Sequence, residues 1–179
     1  QRITAYDKLQ AAVKKMAILQ MDAVLTVPTM TNMTKTLKGK AIPKAKIYIY
    51  IGGKRLGSAT VSEAGNYKVV IPRQKKDAVI KYIVKYDGEE LLRKTVKVKA
   101  ASVKVASAVK ATSKTVTGKA ANNTTIKIYK GTKRLKTVKT TAKGTFKATI
   151  ATQKKGTKLK VYVYDVAGNR SAVKTFVVK

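Results

Sequence analysis

The residues with the clearest capacity for chemistry are short basic pairs that occur twice. Lys54-Arg55 recurs as Lys133-Arg134, and Lys75-Lys76 after Gln74 recurs as Lys154-Lys155 after Gln153. Paired cations beside turns supply point charges and N–H donors for phosphate or carboxylate groups. Other chemistry lacks its reagents. There is no cysteine, hence no thiolate nucleophile, disulfide or cysteine-bound zinc. There is no histidine, which removes the Ser-His-Asp mechanism and the commonest transition-metal ligand. The eight acids are Asp7, Asp22, Glu63, Asp77, Asp87, Glu89, Glu90 and Asp165. Only Asp87, Glu89 and Glu90 cluster, too few oxygens for a calcium cage of about six to eight. No metal, no cofactor and no enzymatic activity are expected of this chain by itself.

The basic pairs sit in an unusual background. Lysine and arginine number 40 against 8 acids in 179 residues, a formal charge of +32. Yet 44% of the residues are hydrophobic, whereas a disordered basic tail is poor in Val, Ile, Leu and Tyr. Outward strand positions need polar residues, and Lys81, Lys85, Lys97 and Lys99 fit that solvated-face reading, which also guards sheet edges. It does not account for the excess, because solubility needs a net charge of only about 2–8 in a small domain. Self-repulsion at this charge opposes folding, and a polyanionic partner relieves it. Arginine is scarce, confined to Arg2, Arg55, Arg73, Arg93, Arg134 and Arg170. Lysine is a mobile point charge, so diffuse contact with a repeating anion is expected, not sequence-specific nucleic-acid readout. No apolar run reaches the roughly 18 residues that span a bilayer.

These residues must be held by a scaffold, and its outline is legible. From about Thr4 to Gln20, Tyr6, Leu9, Val13, Met16 and Leu19 recur at helical spacing among Ala and Lys, with Thr4 as cap and Asp7 in the first turn. After Pro28 the period falls to two. A shift of 79 residues lays Lys35-Thr36 on Lys114-Thr115, Gly39-Lys40-Ala41 on Gly118-Lys119-Ala120, and Lys54-Arg55-Leu56 on Lys133-Arg134-Leu135. Without a gap, roughly 18 of the 44 positions from Thr34 to Asp77 are identical. The expected organisation is a helix at 1–23 and two modules at 24–100 and 101–179. In the first module Ile47, Ile49 and Ile51 face a core and Lys46, Tyr48 and Tyr50 face out. About seven short strands per module, with a turn every eight to twelve residues, predict antiparallel sandwiches of immunoglobulin type. The fold class is therefore mainly β: two tandem sandwiches after a short α-helix.

Particular motifs carry a resemblance. The second module contains Thr117-Gly118-Lys119-Ala120, Gly144-Thr145-Phe146, Gln153-Lys154-Lys155-Gly156-Thr157 and Asp165-Val166-Ala167-Gly168-Asn169. This pattern resembles the bacterial immunoglobulin-like repeats of secreted and wall-associated proteins. The first module departs from it at Asp87-Gly88-Glu89-Glu90, where the longer closing turn is missing. The resemblance implies the sandwich fold and a role as spacer, stalk or adhesion unit, and it supplies no catalytic residue. Separately, Arg2-Ile3-Thr4-Ala5-Tyr6-Asp7-Lys8-Leu9 resembles the last helix of subtilisin-like serine protease domains, though Thr4 stands where Asn or Asp is usual. That implies a C-terminal extension of a secreted subtilase, with the catalytic triad outside these residues. The start at Gln1, with no initiator methionine or signal pattern, is read as a processed product or fragment.

The combined expectation is a secreted, extracellular or wall-associated module from a Gram-positive bacterium. It binds anionic cell-wall polymer, such as teichoic acid or another polyanionic glycan, and localises a parent protein. The expected polyanion-binding residues are Lys54, Arg55, Lys75, Lys76, Lys133, Arg134, Lys154 and Lys155. Shared repeat ancestry and turn solubility explain the same clusters without binding, so a plain structural spacer stays open, as does a non-specific nucleic-acid binder. Tyr48, Tyr50 and Tyr129 admit two readings, cross-strand packing or stacking faces beside lysines. Asn169 is expected to hold a left-handed turn beside Gly168.

Overall fold

The structure is a computed structural model that describes residues 4–20 and 25–179, with side chains omitted at 14, 15 and 17–20. Arg2 and Ile3 of the protease-like motif, the side chain of Leu19 and the boundary read at 23/24 lie outside the described residues. Two compact units divide the chain, Gln1–Ala100 and Ala101–Lys179.

The helix α1 runs Ala5–Gln20. Its start is a reciprocal cap: the Thr4 amide donates to the Asp7 carboxylate at 3.0 Å, and the Asp7 amide donates to the Thr4 hydroxyl at 3.2 Å. The Thr4 hydroxyl also donates to Asp7, and these donors hold the Asp7 carboxyl below its ordinary value. The apolar stripe of Tyr6, Leu9, Val13 and Met16 is exposed, each at more than half of its surface.

The first module has six strands among the described residues: β1 Thr36–Lys40, β2 Lys46–Ile51, β3 Lys54–Thr60, β4 Asn66–Val70, β5 Val79–Tyr86 and β6 Glu89–Lys97. A two-stranded sheet, β1-β4, faces a four-stranded sheet in the order β3-β2-β5-β6, all antiparallel. The period-two sequence explains the layering, because β-branched residues at alternate positions pack between the sheets. Leu37, Ile47, Ile49, Val69, Ile80 and Val84 are buried in that core, and Ile51 lies half-buried at its margin. The segment before β1 closes one side: Met30 is buried, and Thr31 bridges Lys99 in parallel.

The second module has the seven expected strands: β7 Ser107–Ala111, β8 Thr115–Lys119, β9 Thr125–Lys130, β10 Lys133–Lys139, β11 Thr145–Thr149, β12 Lys158–Tyr164 and β13 Lys174–Val177. Its sheets are β11-β8-β7 and β10-β9-β12-β13. Val116, Ile126, Ile128, Phe146, Leu159, Val161 and Val163 form the core. In both modules a glycine lets an aromatic ring cross the smaller sheet. Tyr67 pairs with Gly39, and Phe146 with Gly118. A Cβ on Gly39 would sit 2.6 Å from the Thr26 carbonyl oxygen, and one on Gly118 2.7 Å from the Phe146 ring.

One local expectation is corrected. Asn169 does not take the left-handed conformation; Gly168 takes it alone, at φ 84°. Asn169 instead donates to Asp165 through its amide at 2.9 Å and its side-chain nitrogen at 2.6 Å, and the Ala167 amide adds a third bond at 2.9 Å. The carboxylate organises the turn, so glycine supplies the one positive φ.

Candidate polyanion-binding surface

The sheet registers bring each module's two basic clusters to one end of its larger sheet. In the first, Lys54 pairs with Ile51 at the β2–β3 turn, and Ile51 pairs with Ile80 at the start of β5. The loop carrying Lys75 and Lys76 enters β5, so it opens at the same end. In the second, Lys133 pairs with Lys130, while Lys160 pairs with Tyr129 two residues into β12. Lys154 and Lys155 precede β12 and stand beside that turn. All eight residues are exposed. Lys54, Arg55, Lys133 and Arg134 occupy the first residues of β3 and β10.

The glutamine repeated before each loop lysine pair is a brace. Gln74 donates its side-chain nitrogen to the Pro72 carbonyl at 2.8 Å, and Gln153, buried, donates to the Ala151 carbonyl at 2.9 Å. The Gln153 amide also donates to the Ser113 carbonyl at 2.7 Å, tying the loop to the smaller sheet.

The two poles differ in charge. Asp77 sits in the first loop, 3.2 Å from the Lys97 ammonium and 3.8 Å from that of Lys76. Its counterpart is Gly156. Both amides close the same bond, Asp77 to the Val98 carbonyl and Gly156 to the Val178 carbonyl, each at 2.8 Å, and both have positive φ, 68° and 85°. The second pole therefore keeps the backbone and drops the acid. Residues 101–179 hold 19 basic side chains and one acid, Asp165, which lies at the opposite end of β12.

The acidic turn of the first module serves another purpose. Arg93 donates to both oxygens of Glu90, at 2.7 and 3.0 Å. This bidentate pair holds the Glu90 carboxyl below its ordinary value. Among the described residues no three acidic side chains come together in an arrangement that would hold a metal ion.

The tyrosines pack across strands and against cations. Arg55 lies 5.9 Å from the centre of the Tyr48 ring. In the second module Tyr129 meets Tyr162 edge to face at 5.7 Å, Lys127 lies 4.2 Å over Tyr164, and Arg170 lies 4.8 Å over Tyr162. Tyr162 and Tyr164 were absent from the residues picked out above. The signal was their spacing at intervals of two from Lys160 along β12, on the face opposite the buried Val161 and Val163, and its meaning depends on the partner strand.

With the geometry in place, residues 100–179 match the family model described as the bacterial Ig domain. The second module is a bacterial Ig domain. The first repeats it in sequence and carries the same two-sheet, antiparallel architecture. A curated relative, the cell wall-associated protease of Bacillus subtilis (strain 168), is 31% identical over 153 residues, covering 83% of this chain and 17% of that protein. The chain thus spans about a sixth of that relative's length. Among solved structures, the BSP domain of a biofilm associated protein aligns at 15% identity over 86% of this chain and 29% of its own, with a TM-score of 0.40. A two-domain fibronectin type-III segment from chicken tenascin aligns at 15% identity over 87% of this chain and 97% of its own, with a TM-score of 0.47.

Proposed function

We propose that this chain is a non-catalytic, cationic stalk that holds a longer parent protein on the anionic polymer of a bacterial wall, outside the cell. The observation that carries this reading is the gathering of four of the eight basic residues at one pole of each bacterial Ig-like module. In the second module no acidic side chain shares that pole. Rigid sandwiches suit this role, because their loops present charge on a scaffold that does not reorganise. Teichoic acid, a phosphate polymer, fits lysine-dominated contact better than a single structured ligand does. The wall-associated relative supports the location. The exposed apolar stripe of α1 supports a further part of the reading: the helix packs on a neighbouring catalytic domain of a subtilisin-like parent.

Binding of the 179-residue chain to purified Gram-positive walls, before and after chemical removal of teichoic acid, tests the proposal. Strong binding to intact walls and weak binding to stripped walls is expected. Equal binding to both would overturn it and leave a spacer whose charge serves solubility.

A further inference from the structure

The outward face of the second module's larger sheet carries a pattern that the loop clusters do not explain. Tyr129 of β9 lies between Lys160 of β12 and Arg134 of β10, and Lys127 lies between Tyr162 and Thr137. Cations and tyrosines therefore alternate across three neighbouring strands. Strand spacing places Lys160 and Arg134, two strands apart, about 10 Å from each other. The tyrosines are half-buried and meet one another, so they form a fixed floor. Lys127 and Arg170 rest on the ring faces of Tyr164 and Tyr162. A cation held over an aromatic ring keeps its charge and loses part of its rotamer freedom, which lowers the entropy cost of meeting an anion. The face carries no acidic side chain, and the carboxylate of nearby Asp165 is occupied by its own turn.

We propose that this face is a second anion-binding surface, continuous with the loop pole through Arg134. Its ligand is a sugar or polyol chain bearing repeated phosphate or carboxylate groups. The ring faces of Tyr162 and Tyr164 are covered by cations, so they do not offer the open platforms on which nucleic-acid bases stack. The surface reads charge spacing along a flexible backbone. In the first module Tyr48, Ile83 and Lys85 stand where Lys127, Tyr162 and Tyr164 stand here, so the pattern belongs to the second module. The inference rests on the wall-polymer reading for the source of the polymer, not for the geometry.

The test is an NMR titration of the full chain with three probes of matched charge: a short poly(glycerol phosphate), an oligogalacturonate and an oligodeoxynucleotide. Amide shifts across Lys127, Tyr129, Lys160 and Tyr162 are expected with one or both of the first two probes, and which of them acts separates phosphate from carboxylate recognition. Lys127→Gln with Arg170→Gln should weaken binding about five- to ten-fold at low salt. It should also flatten the log–log salt slope by roughly 1.4–1.8, two contacts' worth. Tyr164→Leu, which frees Lys127 without removing it, should cost about two- to five-fold and leave the slope in place. Shifts confined to the loop residues would overturn the second surface and leave the wall-binding proposal standing. Tighter binding of the oligodeoxynucleotide, with the tyrosine ring signals shifted by stacking, would overturn it in favour of a nucleic-acid surface. No binding of any probe would overturn both.

Discussion

The two modules share a backbone and differ in how they treat charge. The first keeps acids beside its basic residues: Asp77 against Lys76 and Lys97, Glu63 against Lys44 at 3.6 Å, and Glu90 against Arg93. The second has one acid, committed to a turn. Exposed pairs of this kind contribute about 0–1 kcal/mol each, so stability does not explain keeping them or losing them. What changes is the field. A module whose cations are partly neutralised locally attracts a polymer less than one whose cations are not. On the wall-polymer reading proposed above, the second module should hold the larger share of polyanion affinity and the first should act as a spacer with a weaker pole.

The most damaging experiment for that division is to silence one pole at a time. Replacing Lys133, Arg134, Lys154 and Lys155 by glutamine should flatten the salt dependence of binding to teichoic acid by about 3, counting roughly 0.7–0.9 per lost contact. Replacing Lys54, Arg55, Lys75 and Lys76 should flatten it less. Fluorescence anisotropy over a salt series gives both slopes. Equal losses would abolish the division, and a larger loss from the first module would reverse it.

Stability offers a second contrast, now between steric environments. Gly39→Ala drives a methyl toward a backbone carbonyl, which cannot yield without moving the chain before β1. Gly118→Ala meets the end of the Phe146 ring, with the Ser107 carbonyl farther away at 3.2 Å. Overpacking of this kind costs typically about 1–3 kcal/mol, and the first substitution should lie at the upper end. Differential scanning calorimetry of each variant should show the transition of the altered module falling by several degrees. A larger drop for Gly118→Ala would mean that the two crossings are not equivalent in kind.

The cores also respond differently to alkali. Burial raises the Tyr67 hydroxyl to about 12 and pushes Tyr82 up as well, with Tyr67 beside it adding to the shift. The Tyr67 hydroxyl donates to the Thr26 carbonyl at 2.6 Å, a bond available only to the protonated form. Phe146 and Val161 take these places in the second module. A folded value raised above the unfolded one near 10 gives stability that is complete below pH 10 and is lost as pH rises toward 12. The first module should therefore unfold earlier in an alkaline titration followed by circular dichroism and tyrosinate absorbance. Tyr67→Phe should delay that loss.

How much of this was legible in the residues depends on the range of the interaction. The strands and their buried faces were readable because alternation at Ile47-Ile49 or Tyr67-Val69-Ile71 is a local consequence of the pleat. The repeat gave the second copy directly. The convergence of Lys54-Arg55 with Lys75-Lys76 at one pole was not readable, since they are separated by two strands and meet only through the β2–β5 register. The cations held over Tyr162 and Tyr164, Arg170 and Lys127, were invisible for the same reason. Asn169 was misread because the turn's organiser, Asp165, lies four residues earlier and competes for the same backbone.

The smallest predicted effect isolates the difference most cleanly, because it moves one side chain between two nearly identical backbones. Asp77→Gly in the first loop removes the acid from Lys76 and Lys97, and Gly156→Asp places one at the matching position in the second. The backbone at both sites has positive φ, and the wild-type Asp77 shows that aspartate is accommodated there. A Cβ at Gly156 meets nothing within 4 Å, so the cost of aspartate there is that of the left-handed backbone itself, about 1–2 kcal/mol, which Asp77 already bears in the first loop. Losing the exposed pairs of Asp77 costs a similar amount at most. Both variants should therefore fold, and their effects on binding should be opposite. Asp77→Gly should tighten teichoic acid binding about two- to three-fold and steepen the salt slope by up to about 0.9, one further contact. Gly156→Asp should weaken it by more if the second pole carries the larger share of the affinity, as proposed. The double variant, which exchanges the two loops' charge, should shift the stronger polymer-induced changes toward the first module. Changes of the same sign in both single variants would show that net charge alone governs binding and that the placement of the acid does not matter.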